Sequence, residues 1–87
     1  MDSDALALKR AFSKQFRRIR TKLDLSQAAM SELLGITPRA YSDLEQGKSL
    51  CSTTVLSRFL TYCCLDSDRL EIVETIVDVV IGCAVSA

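Results

Sequence analysis

The chain contains no histidine and no tryptophan, and only one proline and three glycines in 87 residues. Without histidine the commonest general base and the Cys–His nucleophile pair are excluded, and no glycine-rich loop is available to cradle a phosphate. The carboxylates and hydroxyls form no constellation suited to hydrolysis, so no enzymatic activity is expected. Cys51, Cys63, Cys64 and Cys83 include no C-x-x-C pair. Zinc sites use paired thiolates or imidazoles at short spacing, so no metal and no other cofactor is expected. The thiols read as small apolar side chains in a reducing cytoplasm, with Cys63 and Cys64 turned to different sides of one helix. No secretory-signal pattern is present. No alternating strand pattern stands out, which makes the expected class all-α. A formal net charge of zero argues against a generally basic nucleic-acid binder.

What is present is unevenly distributed. Residues 1–22 carry Lys9, Arg10, Lys14, Arg17, Arg18, Arg20 and Lys22 against Asp2 and Asp4. Residues 51–87 carry Arg58 and Arg69 against Asp66, Asp68, Glu71, Glu74 and Asp78. The neutral total therefore hides a basic start and an acidic end, and a basic patch can supply phosphate contacts even in a neutral chain.

The most organised stretch runs from Leu25 to Gly47. Ser26 is suited to cap a helix that Gly35 ends in a left-handed turn. Thr37 then caps a second helix, with Pro38 at its first position and Gly47 closing it. Ala29, Leu33 and Leu34 fall on one face of the first helix, and Tyr41 and Leu44 on one face of the second. Closing the pair over these residues leaves Pro38, Arg39, Ser42 and Asp43 outward. A short helix with small and polar outward side chains, braced from behind, fits a DNA major groove.

The run Leu25-Ser26-Gln27, Leu33-Leu34-Gly35-Ile36-Thr37, Tyr41-Ser42 and Leu44-Glu45-Gln46-Gly47 resembles the helix-turn-helix of phage repressor and Cro-like (XRE-type) domains. The likeness reaches back to Phe16-Arg17-Arg18-Ile19-Arg20 and forward to about Leu65. It implies a five-helix, lambda-repressor-like DNA-binding domain with the motif at helices two and three. It also implies base readout by Pro38, Arg39, Ser42 and Asp43, and phosphate contacts from Gln27, Lys48, Arg17 and Arg20. Gln27 otherwise reads as a tolerated polar residue in a first helical turn. An Arg20–Glu45 pair, by the same resemblance, fixes the angle between the first and third helices. Arg39 is suited to guanine O6 and N7; Asp43 is suited either to cytosine N4 or to an i,i+4 pair with Arg39. Proline at 38 and the unbasic Leu50–Thr53 loop depart from the family pattern.

Around this motif, Asp4 or Ser3 is expected to cap a first helix over 5–22, with Leu8, Phe12, Phe16 (or Gln15), Ile19 and Leu23 inward. Ser52 or Thr53 caps a fourth over 54–64, with Leu56, Phe59, Leu60 and Cys63 inward and Tyr62 at its edge. A last helix from Asp66–Asp68 to about Cys83 carries more apolar surface than one core needs, and its carboxylates and length exclude a membrane span. The expected organisation is one domain, 1–87, with a repressor-like core over 1–65 and a C-terminal helix over 66–87. That helix is expected to join two copies through Val73, Ile76, Val77, Val80 and Ile81. Two functions follow: a homodimeric regulator, a repressor, binding double-stranded DNA in the cytoplasm; or a protein-interaction or antitoxin-like module that keeps the shape, with another protein as partner.

Overall fold

The computed structural model describes the backbone of residues 2–86 and the side chains of residues 4–82. Five helices make it up: α1 (Asp2–Lys22), α2 (Gln27–Leu34), α3 (Pro38–Glu45), α4 (Thr53–Arg58) and α5 (Asp66–Ser86). No strand occurs among the described residues, and none of their helices is long and apolar enough to cross a membrane.

Local chemistry sets the boundaries. The side chains of Ser26, Thr37 and Ser52 accept from the backbone N–H three residues on, at 3.0, 3.1 and 3.2 Å, and so cap α2, α3 and α4. Three helices end in the same left-handed motif, in which two successive N–H groups fold back onto carbonyls of the last turn. Gly35 (φ +71°) and Gly47 (φ +72°) fill that position after α2 and α3. After α1 it is filled by Asp24 (φ 56°), a residue type that tolerates the left-handed region better than most. At the other end α1 already includes Asp2, so Ser3 and Asp4 lie within the helix rather than ahead of it; acidic residues suit a helix N-terminus.

The core joins all five helices through Phe16, Ile19, Met30, Leu34, Tyr41, Leu44, Val55, Phe59, Cys63, Cys64 and Ile72. Phe16 is its centre, with its ring 4.5 Å from Phe59 and meeting Tyr41 edge-on at 6.1 Å. The faces of two helices differ from the sequence expectation. In α2 the buried stripe is Met30–Leu34 with Ser31, while Leu33 is exposed and Ala29 half-buried. In α1 Leu23 is exposed, because the chain has already turned at Asp24, whereas Ser13 and Gln15 are buried.

α4 does not continue regularly to residue 64. From Phe59 to Cys63 it widens into a π-helical turn, and Cys64 is extended (φ −114°, ψ 140°). With that change of backbone Cys63 and Cys64 are both buried in the core. Burial raises the pKa of Cys51 and Cys63 and pushes Cys64 up to about 11, so all three stay protonated at neutral pH. Tyr62 is exposed. Cys83 lies outside the residues whose side chains are described.

α1 works on two opposite faces. Lys9, Ser13, Phe16, Arg17 and Arg20 meet α3 and the turn after it. Arg18 and Lys22, on the stripe that also buries Ala11 and Gln15, hold α5. Asp68 is the centre of that second contact. It accepts from Lys22 (2.9 Å) and Arg18 (3.3 Å), and reaches back to the N–H of Leu65 (3.0 Å). Arg18 also lies 3.3 Å from Glu71. The hydrogen bonds from Lys22 and from Leu65 N–H, with Arg18 added, pull the Asp68 carboxyl down to about 2 against the opposing effect of burial.

Candidate nucleic-acid interface

α3 is amphipathic over only eight residues. Tyr41, Leu44 and Glu45 face the core, and Pro38 and Arg39 are exposed. Ser42 and Asp43 are half-buried on the outward side. Gln46 was missed in the sequence reading and belongs with them. It stands four residues after Ser42 and seven after Arg39, on the same face, and its Nε2 donates to the Ser42 hydroxyl at 2.7 Å. Helical spacing alone could have found it. Arg39 and Asp43 do not form the i,i+4 ion pair considered above. Asp43 lines a groove of about 270 Å³ with Ile36, Ala40, Leu50, Cys51 and Val55.

What holds α3 is a set of polar contacts at its C-terminal end. Arg20 grips the Glu45 carboxylate with Nε at 2.5 Å and Nη2 at 3.1 Å, and its Nη1 donates to the Leu25 carbonyl at 3.0 Å. The backbone carbonyl of Glu45 accepts from the buried Ser13 hydroxyl and from Arg17 Nη2 (2.9 Å). Gln27 Nε2 approaches Glu45 Oε1 at 3.4 Å. Burial by itself raises the Glu45 pKa, but hydrogen bonds from Arg20, Tyr41 and Gln27 outweigh it and hold the group below the ordinary carboxylate value. The Glu45 bond correspondingly raises Arg20, and burial pushes the Tyr41 phenol far up. The pair is therefore ionised at neutral pH.

These contacts redistribute the cations named from the sequence. Each guanidinium nitrogen of Arg20 makes one hydrogen bond inside the protein, which fixes the side chain against α3, while Nη1 and Nη2 each keep a second N–H and the side chain is 22% exposed. Gln27 likewise turns its amide inward. Arg17 spends Nη2 on α3 but is exposed, as are Arg10, Lys14, Lys48 and Arg39. Lys14, Arg17, Arg18 and Thr21 line a shallow basic hollow of about 350 Å³.

The turn before α3 has its own brace, which sequence reading did not reveal. Arg58 of α4 donates from Nη1 to the Leu34 carbonyl at 3.0 Å, neutralising the end of α2. A side chain at Gly35 would strike that same nitrogen. Glycine at 35 is thus favoured by its positive φ, and any larger residue there would also push the tip of Arg58 aside.

Two short capped helices, joined by a braced left-handed turn and presenting one polar face outward, define a helix-turn-helix. The comparison with known families agrees. The family described as a helix-turn-helix domain matches residues 11–72, and the chain belongs to it. No curated protein and no solved structure matches the chain significantly.

Proposed function

We propose that this protein binds double-stranded DNA in a sequence-specific manner as a phage repressor/Cro-like (XRE-type) homodimeric transcriptional repressor, without catalysis. One observation supports this most directly. On its outward face α3 exposes Pro38, Arg39 and Gln46, with Ser42 and Asp43 half-buried beside them, while its inner face is fixed by Arg20, Arg17 and Ser13. In the groove Arg39 reads guanine with two hydrogen bonds, and Gln46 and Ser42 lie along the same edge. Arg17 and Lys48 stand at the C-terminal end of α3, where they take flanking phosphates. α5 joins the two copies through its outer surface, where Val73, Val77, Val80 and Ile81 are exposed.

Selection from a random duplex library tests the reading. An enriched motif with two-fold symmetry is the expected result. Arg39→Ala should lose about 1–3 kcal/mol of discrimination at one base pair per half-site, with the other positions unchanged. Selection that enriches nothing overturns it. In that case the second reading, a module that binds another protein, takes its place.

A further inference from the structure

We propose that α5 pairs with α5 of a second copy of this chain as a parallel, in-register two-stranded coiled coil. This rests on the homodimer reading above and specifies its direction and contacts. The inner face of α5 is already used: Asp68 and Ile72 are buried, and Ile76 lies against the core. Ile76 thus lies at the margin of an outer contact, with one side against the core. On the reverse face Leu70, Val73, Val77 and Val80 are 61%, 52%, 46% and 50% exposed.

Their spacing of three, four and three residues is that of the a and d positions of two heptads. The stripe is free to pair without touching α3, because α1 stands between the two helices and contacts them with opposite faces. The flanks decide direction. Arg69 and Ile76 border the stripe on one side, and Glu74 and Ile81 border it on the other. In a parallel in-register pair each residue of the first flank meets the residue five positions further on in the opposite flank of the other helix. Arg69 then meets Glu74 of the second copy, and Ile76 meets Ile81 of the second copy. Two-fold symmetry makes each contact twice. Arg69 has capacity for this: Nε donates to the Leu60 carbonyl (2.8 Å) and Nη1 to Asp66 (2.6 Å), and Nη2 takes part in neither bond. An antiparallel pair brings like flanks together. It sets Glu74 against an isoleucine or another Glu74, and leaves Arg69 with no carboxylate across the interface.

The test uses the full chain carrying Cys83→Ser, with that parent as the blank. Val73→Cys and Val77→Cys are made separately and oxidised with oxidised glutathione at tens of micromolar protein, because an antiparallel pair sets position 73 opposite position 77. The parallel arrangement makes each variant cross-link to itself. Cross-linking only when the two variants are mixed overturns the parallel direction and leaves the homodimer standing. Sedimentation equilibrium of the parent should show a dimer. A monomer at every concentration overturns the pairing itself, while an enriched DNA motif from that monomer would leave the DNA reading intact. Glu74→Arg should weaken the dimer at least tenfold by setting it against Arg69, and an unchanged dissociation constant overturns the Arg69–Glu74 contact.

Discussion

Glu45 illustrates how much a single residue can be asked to do in a domain this small. Its side chain is buried and charged, and its backbone carbonyl is the last acceptor of α3 before the cap. Both ends are held from α1. A buried carboxylate deprived of its partner typically costs about 3–5 kcal/mol. Arg20→Met should therefore destabilise the protein by about 3 kcal/mol in urea unfolding, far more than removal of an exposed cation such as Arg10. Gly35 is constrained by its backbone conformation. Gly35→Ala places a Cβ in the left-handed region and against Arg58, and should cost about 1–2 kcal/mol by the same measurement. Gly35, Thr37, Pro38 and Gly47 were legible in the sequence because their chemistry acts within a few residues. Ser13 and Arg58 were not, because what each does depends on a partner 32 or 24 positions away.

At the level of elements, the number and order of the helices were legible, and their faces less so. The 3.6-residue period locates an apolar stripe only to within a residue or so. In α2 that margin separated Leu33, exposed, from Met30, fully buried. The π-helical turn at Phe59–Cys63 carries no local signature, since it arises from fitting Phe59, Cys63 and Cys64 into one core. The α1–α5 contact has a pH dependence that follows from Asp68. Its carboxyl is held at about 2, against 3.8 for the free group. The stabilisation is fully present above about pH 4 to 5 and is lost as the pH falls from there toward 2. Asp68→Asn should remove this dependence in acid titrations followed by circular dichroism. It should also lower stability at pH 7 by about 2 kcal/mol, the usual range for a hydrogen bond to a charged group.

For the molecule as a whole, the neutral formal charge is misleading as a guide to partners. The exposed cations Arg10, Lys14, Arg17, Arg39 and Lys48 belong to α1, α3 and the turn after α3, while Glu71, Glu74 and Asp78 are exposed on α5. If Arg17 and Lys48 each neutralise one phosphate, a dimer makes four such contacts. The logarithm of DNA affinity should then fall against the logarithm of salt with a slope of about −4. Lys48→Ala should bring that slope to about −2 without altering the preferred motif.

The two-faced construction of α1 also bears on how such a chain can change length over evolutionary time. The residues that grip α3 and those that grip α5 are interleaved along one rod. Adding or deleting a single residue between Ser13 and Lys22 turns everything beyond it by about 100°. Both grips would then fall out of phase at once, and no compensating substitution at one of them would restore the other. Insertions and deletions should be confined to the segment around Ser49 and Leu50, which joins two capped ends and carries no such phase.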